Sequence, residues 1–405
     1  MSGMVIVGAG QAGLQAAEAL RAEGWAGEIT LLGDETHAPY HRPPLSKEAL
    51  AEGVAAYAPR LFMRSPEALA RKSISLRTGV TVAAIDRAAQ EVVLHGGERL
   101  GYQGLCLALG ARNRPLPFGE AANVLGLRTL HDATLLDAEL AKARHVVIIG
   151  GGFIGLEVAA SARKQGKTVT VVEVAPRLMA RVVAPVISET YARLHETHGT
   201  ALVLGVGVAG LEIADGRATA VLLADGRALA ADLVVYGIGI LPNAELAAQA
   251  GLAVEAGGIV VDGCARTQDR LITAAGDCTA ARLGEGLPVR RLESVQNAVE
   301  QGKSAAAALL GRERAFTATP WFWSNQYAVG LQIAGLSGGF DEVVTRGDVP
   351  GFAFTAFYFK ANTLIAADSL NQPKDHMALR RILDQKLGLT PAQAADASFD
   401  LTRHK

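Results

Sequence analysis

The sequence predicts an α/β protein built from two doubly wound, Rossmann-like units and a small α+β domain at its C-terminal end. Three observations predict it. An apolar strand-type run that stops at glycines and passes at once into a helical pattern occurs twice, over residues 4–14 and 145–157. The chain of 405 residues is too long for one ordinary core. From Pro320 onward the composition changes, with Trp321, Phe322, Trp323 and Tyr327 followed by short β-type segments.

The first glycine cluster places Gly8, Gly10 and Gly13 in G-x-G-x-x-G spacing. The first supplies a tight turn, the second lets a pyrophosphate approach the backbone, and the third allows close helix–strand packing. Phosphate then sits on a helix N-terminus, where N–H groups and the dipole favour negative charge. The next apolar run, residues 29–33, is closed by Asp34, about 20 residues on, where an acid takes a ribose hydroxyl. Strand before, helix after and an acid at that distance together predict dinucleotide binding.

Residues 37–47 (HAPYHRPPLSK) form a stiff, basic loop whose two prolines release the chain into a helix near Ser46. Such a loop serves equally as a cofactor neighbour or as a surface turn. Short strands are expected at 80–85, 91–94 and 105–108, and a proline-rich link at 114–117 marks a domain crossing. The second cluster repeats the first design with Gly150, Gly152 and Gly155, and the following strand ends in Glu173. An acid there accepts from a 2′-hydroxyl and repels a 2′-phosphate, which favours NADH over NADPH. Arg177 and Arg181 stand against that preference, since either could cradle a phosphate. A strand over 233–236 leads into Gly237-Ile238-Gly239, and another ends in Gly276-Asp277, where Asp277 could take a ligand hydroxyl or cap the next segment. A helix is expected from 293 to 310, strands at 331–334, 342–345, 352–359 and 363–368, and a closing helix from 374 to 387. The domains expected are 1–114 and 241–318 for one nucleotide fold, 115–240 for the other, and 319–405 for the α+β domain.

Composition narrows the function. A net charge of −1 argues against a nucleic-acid binder. The apolar stretch 146–162 is broken by Gly150-Gly151-Gly152 and Glu157, so no membrane span is expected. The chain enters its first strand within a few residues, which suggests no signal peptide, and Cys106, Cys264 and Cys278 form neither a C-x-x-C nor a disulfide framework. A cytoplasmic location and no metal site follow as expectations.

Taken together, these stretches resemble the two-dinucleotide-fold flavoprotein reductases, and more narrowly the FAD-dependent ferredoxin reductases of the putidaredoxin-reductase type. The resemblance runs over essentially the whole chain. It is carried most specifically by Arg42-Pro43-Pro44-Leu45-Ser46-Lys47 and Pro320-Trp321-Phe322-Trp323-Ser324-Asn325-Gln326, with residues 127–130, 276–278 and 293–298 beside the glycine turns. It implies that FAD is held by Gly8, Gly10, Ala12, Gly13, Asp34, Arg42, Lys47, Val82, Arg128, Asp277, Val295 and Trp323. NADH would be received by Gly150, Gly152, Ile154, Gly155, Glu157, Glu173, Arg181, Gly237, Ile238 and Gly239. Lys47 and Glu157 would form an ion pair beside the reactive edge of the flavin, with Trp323 packed on it, and these three are the expected catalytic residues. Leu109 and Asn325 depart from the family pattern, where Thr and Asp are frequent.

The resemblance further implies hydride transfer from NADH to FAD and release of single electrons to a [2Fe-2S] ferredoxin serving a cytochrome P450 or ring-hydroxylating dioxygenase. Relatives that reduce disulfides need a reactive thiol pair; the loop HRPP has none, so electrons would leave from the flavin itself. Such a partner is acidic and transient, the reductase a monomer or weak dimer. A locally basic face would draw on Arg64, Arg290, Arg291, Lys303, Arg312, Arg314 and Lys374. A rubredoxin or other small acceptor, a quinone reductase with a membrane-binding tail, and a flavin-bearing redox-signalling protein are the alternatives. The polar C-terminal segment speaks against the second, and the third would call for added targeting segments and basic nucleic-acid patches, neither of which is expected from the sequence.

Overall fold

All five residues of the strand Gly3–Val7 are buried, as expected of a parallel strand covered on both faces by helices. The computed structural model describes residues 3–282 and 289–405, which form two compact units. The first comprises Met1–His41, Arg60–Arg112 and Ile240–Ala318; the second comprises Arg42–Pro59, Asn113–Gly239 and Thr319–Lys405. The segment Arg42–Pro59, which the sequence groups with the first 114 residues, thus belongs to the second unit.

In the first unit, Gly3–Val7 runs parallel between Ile29–Leu32 and Arg99–Leu107. Ile74–Arg77 and Ile272–Ala274 extend the sheet on either side, also in parallel. Because the strands share a direction, the loops bearing Gly8, Ala108 and Gly276 emerge at one edge. Above the sheet, the helices Gln11–Ala22 and Val295–Leu309 approach so closely that a β-carbon at Gly302 would lie 2.7 Å from the Ala12 carbonyl oxygen. Glycine there, and alanines around it, set the helix spacing. Ser294 starts the second helix, its hydroxyl accepting from the Asn297 amide at 3.1 Å.

The second unit holds a five-stranded parallel sheet, ordered Thr200–Leu204, Thr168–Glu173, His145–Ile149, Leu233–Tyr236, Val124–Gly126. The helix Phe153–Lys164 follows the glycine turn, and Gln165 at its end donates to the Leu50 carbonyl at 2.7 Å, tying Arg42–Pro59 to it. The helix Leu130–Lys142, not expected from the sequence, starts at a capping box in which Thr129 and Asp132 satisfy each other's backbone amides. Also unexpected is the antiparallel trio Val208–Ala214, Arg217–Leu223 and Ala228–Ala230. The C-terminal sheet is antiparallel, ordered Trp321–Gln326, Val329–Gly335, Thr363–Leu370, Ala353–Lys360, Glu342–Asp348, with the helix Pro373–Gln385 packed on it. Phe357, Phe359, Ala367, Leu379 and Ile382 fill that layer, each large side chain contributing about 1.5–3 kcal/mol.

One buried acid on the opposite face of this sheet carries a pH signature. Tyr358 donates to Asp368 and accepts from the Ala184 amide at 3.3 Å. Burial outweighs that hydroxyl and pushes the Asp368 carboxyl up to about 7. A raised acid favours the protonated folded state, so its stabilising share is present below the ordinary carboxylate value of 3.8 and is lost as pH rises through about 7. Asp368→Asn is therefore expected to gain Tm over the parent progressively from about pH 5 to about pH 8. Thermal melts across that range check it; a constant offset would contradict the assignment.

Candidate functional site

The first glycine turn does in space what its spacing predicts. Gly8 sits at φ +109°, and a β-carbon there would lie 2.1 Å from the Ala108 carbonyl oxygen; one at Gly13 would lie 1.8 Å from that of Gly8. Gly10 differs, because nothing lies within 4 Å of its β-position. It caps Gln11–Ala22 with no side-chain hydrogen bond, leaving a bare helix N-terminus facing open space. That is the cradle a pyrophosphate needs. Asp34 is exposed just beyond Ile29–Leu32, one oxygen accepting from the Glu35 amide at 3.0 Å. Ala12 packs against Gly276, whose β-position is 3.1 Å from the Ala12 β-carbon. Asp277 follows at the same sheet edge, half-buried, as is Val295 at the start of its helix and Val82 at the start of its strand.

Gln301 organises this edge, and its residue type alone gave no signal of it. Its carbonyl oxygen accepts from the Gly276 amide at 2.8 Å, the Thr279 hydroxyl at 2.9 Å and the Asn297 amide group at 3.1 Å. It locks the Gly276-Asp277 turn to the helix that presents Val295. Leu109, the first departure, packs with the unit's core, and its carbonyl takes the Asn243 side chain at 2.9 Å.

The second unit repeats the turn. Gly150 lies at φ +110° with its β-position 2.5 Å from the Gly237 carbonyl oxygen; that of Gly155 is 2.2 Å from the Gly150 carbonyl oxygen, while that of Gly152 faces open space. Glu173 grips the turn itself, accepting from the Gly151 amide at 2.6 Å and the Ala175 amide at 2.8 Å. Remaining carboxylate lone pairs suit ribose hydroxyls. Gly237, Ile238 and Gly239 form the facing turn, anchored by the Gly237 amide on the Ile149 carbonyl at 2.8 Å, and Ile154 is exposed at the helix start. Arg177 donates to the Val183 and Ala180 carbonyls and to Ser188, each at 2.7 Å, so it is committed to shaping its own loop. Arg181 is exposed.

Glu157 is the focus of this unit. It sits one turn inside Phe153–Lys164, 2% exposed. Lys47 Nζ lies 2.7 Å from Oε2, the Ser46 hydroxyl donates to the same oxygen at 2.5 Å, and Ser324 donates to Oε1 at 2.6 Å. Burying a carboxylate is tolerable only when it is paired and its lone pairs are met. Here an ammonium and two hydroxyls meet them. The proline pair places the cation: Pro43–Ser46 is a 3-10 turn, and the Pro43 carbonyl takes a second hydrogen bond from Lys47 at 3.1 Å. Arg42 reaches the Arg128 carbonyl at 2.9 Å, so these two candidates are also neighbours.

Strand alternation separates the aromatic motif into two faces. Phe322, Ser324 and Gln326 turn toward Phe153, Glu157 and His195, with the Phe153 and Phe322 rings 4.8 Å apart. Trp321 and Trp323 share the other face, 5.5 Å apart, where Trp321 meets His376 and lies under Arg380. Trp323 is half-buried, and within this unit it does not join the Lys47–Glu157 cluster. Asn325 is exposed. Ser46, Ser324, Gln326 and His195 are members of the cluster that residue-type reasoning missed: hydroxyls and amides announce nothing, and the contacts span up to 167 residues.

Two nucleotide turns and a buried ion pair define an oxidoreductase that handles two dinucleotides. The comparisons agree. Residues 2–302 match the pyridine nucleotide-disulphide oxidoreductase family and residues 321–404 the reductase C-terminal family; the chain belongs to the pyridine nucleotide-disulphide oxidoreductases. Rhodocoxin reductase of Rhodococcus erythropolis is 46% identical over 408 residues, spanning 99% of this chain and 95% of that protein. Putidaredoxin reductase of Pseudomonas putida is 44% identical over 407 residues, spanning 98% and 95%. Among solved structures, the ferredoxin reductase of the CYP199A2 system from Rhodopseudomonas palustris has a TM-score of 0.96 at 43% identity, covering 100% of this chain and 99% of that one. The covalent putidaredoxin reductase–putidaredoxin complex gives 0.94 at 43% identity, covering 99% and 97%.

The family name points to thiol chemistry, and the cysteines here do not fit it. Cys106 and Cys278 are fully buried, and burial pushes their thiols up to about 12 and about 11. Thiols so placed stay protonated and unreactive. No helix among the described residues is long and apolar enough to cross a membrane.

Proposed function

We propose that this protein is an NADH-dependent, FAD-carrying reductase that delivers electrons to a [2Fe-2S] ferredoxin serving a cytochrome P450 or ring-hydroxylating dioxygenase. The carrying observation is the pairing of two open-fronted nucleotide turns with the lack of a reactive thiol pair: Cys106 and Cys278 are buried with raised thiols and Cys264 stands alone, which leaves bound FAD as the exit for electrons. FAD, when bound, accepts two electrons together and yields them singly. The chain binds, orients and excludes water. Gly8, Gly10, Ala12, Gly13, Asp34, Arg42, Lys47, Val82, Arg128, Asp277, Val295 and Trp323 are assigned to FAD. Gly150, Gly152, Ile154, Gly155, Glu157, Glu173, Arg181 and the 237–239 turn are assigned to NADH, with Lys47–Glu157 holding a fixed pair of charges where hydride passes. Domains 1–114 with 241–318, apart from the segment Arg42–Pro59, then 115–240 and 319–405, divide these roles.

Glu173→Ala is expected to raise KM for NADH about tenfold, the worth of one charge-assisted hydrogen bond of about 1.5 kcal/mol, and to narrow the margin over NADPH. Steady-state kinetics with both nucleotides check this; unchanged ratios would remove Glu173 from the specificity role.

The ferredoxin is assigned as acidic and transiently bound, the reductase as cytoplasmic and monomeric or weakly dimeric. Of the seven candidate docking cations, Arg64 pairs with Glu18, Arg291 with Glu293, Arg312 with Glu23, and Lys303 and Arg314 with Glu300. Arg290 and Lys374 have no carboxylate partner among the described residues, and they are the strongest docking candidates. The test is NADH-driven reduction of a panel of [2Fe-2S] ferredoxins and a rubredoxin across a salt series. A ferredoxin preference that weakens with salt supports the reading; equal turnover of rubredoxin, or salt independence, would overturn the acceptor or the docking assignment respectively.

A further inference from the structure

Behind Glu157 the hydrogen bonds continue in one direction. The carboxylate only accepts. Ser324 has one proton, given to Glu157 at 2.6 Å, so its oxygen can only accept from the Gln326 amide group, 3.2 Å away. That turns the Gln326 carbonyl oxygen toward His195 Nε2, at 2.8 Å. A carbonyl only accepts, so His195 must carry its proton on Nε2. Nδ1 then holds a lone pair, and it meets no partner among the described residues. The imidazole tautomer is thus dictated by a carboxylate two side chains away.

The ring is held firmly enough to impose its own direction in return. His195 is wholly buried on the helix Pro185–Thr197. Tyr327 packs edge-on at 5.2 Å, and His198 stacks on Tyr327 at 3.7 Å. Burial, with His198 nearby, pushes the imidazole down to about 4, so it stays neutral at working pH. Tyr191, from the same helix, is the phenol that feels both Glu157 and Asp368.

We infer that His195 is a positioning residue for hydride transfer, orienting Glu157 through Gln326 and Ser324. The inference rests on the proposed role of Lys47–Glu157 beside the reacting nucleotides. With the Nε2 donor in place, the amide of Gln326 cannot flip, the Ser324 hydroxyl cannot rotate to another acceptor, and the Glu157 carboxylate keeps the plane that serves Lys47 and Ser46. A donor-free ring position releases all three.

Three measurements test it. Two-bond 1H–15N spectra of the parent protein should show His195 as the neutral Nε2–H tautomer, without titration across neutral pH; the Nδ1–H form, or a titrating ring, would overturn the inference. Anaerobic rapid mixing should show His195→Leu slowing hydride transfer about tenfold with NADH Kd little changed, the pattern of lost orientation. His195→Gln, whose amide can replace the Nε2–H, should recover most of that rate. Equal slowing in both variants, or an unchanged rate in His195→Leu, would overturn it. Glu157→Gln in the same assay separates the two levels. If it leaves hydride transfer intact, the role of Glu157 fails; if it is slow while His195→Leu is not, only the positioning role fails.

Discussion

Replacing Glu157 by alanine is expected to destabilise the second unit by about 3–5 kcal/mol, the cost of breaking a buried ion pair and leaving one charge behind. Lys47 is only 10% exposed, so its ammonium has little water to turn to. Ser46 and Ser324 lose their acceptor as well. Denaturant melts of the purified variants measure this, and Glu157→Gln should lose less because its amide oxygen still accepts one of the two hydroxyls and the side-chain volume is kept. Hydride transfer should fall with either change, by about a hundredfold where a preorganised charge is removed. A variant of parental stability and rate would show that the cluster neither holds the unit nor serves the reaction.

The second large effect is a contrast between two glycines of the first turn. Gly13→Ala would set a methyl group 1.8 Å from the Gly8 carbonyl oxygen, so the turn must open, at a cost of about 1–3 kcal/mol or more. Gly10→Ala meets nothing within 4 Å, and its backbone is extended at φ −86°. Its fold should survive with Tm nearly unchanged, while the methyl occupies the space in front of the helix N-terminus and FAD affinity falls by about a hundredfold. Flavin content measured beside thermal melts distinguishes them: Gly13→Ala loses both, Gly10→Ala only the flavin. Full flavin retention in Gly10→Ala would place the pyrophosphate elsewhere.

Both nucleotide turns were legible in the sequence because each of their glycines has a steric reason that spacing alone exposes, and the structure repeats those reasons atom by atom at Gly8 and Gly150. The C-terminal sheet was legible from composition, but its first strand, Trp321–Gln326, was not, because an all-aromatic opening hides a period of two. The same strand shows where reading by residue type stops. Trp323 drew attention by size, yet Ser324 is the residue that reaches Glu157. Likewise His195 works through a contact across the fold, and no local pattern encodes a partner 131 residues away. Thr129 with Asp132 did carry a local signal, a capping box that marks the start of Leu130–Lys142.

Electron exit through the flavin rather than through thiols is tested most directly by anaerobic titration after thiol alkylation. The protein, treated with a thiol reagent and holding FAD, is given one equivalent of NADH and an excess of [2Fe-2S] ferredoxin, and cluster reduction is followed by its absorbance. Two clusters reduced per NADH, at the rate of the untreated protein, is the predicted result. Reduction that disappears on alkylation, or NADH oxidation with no cluster reduced, would contradict it.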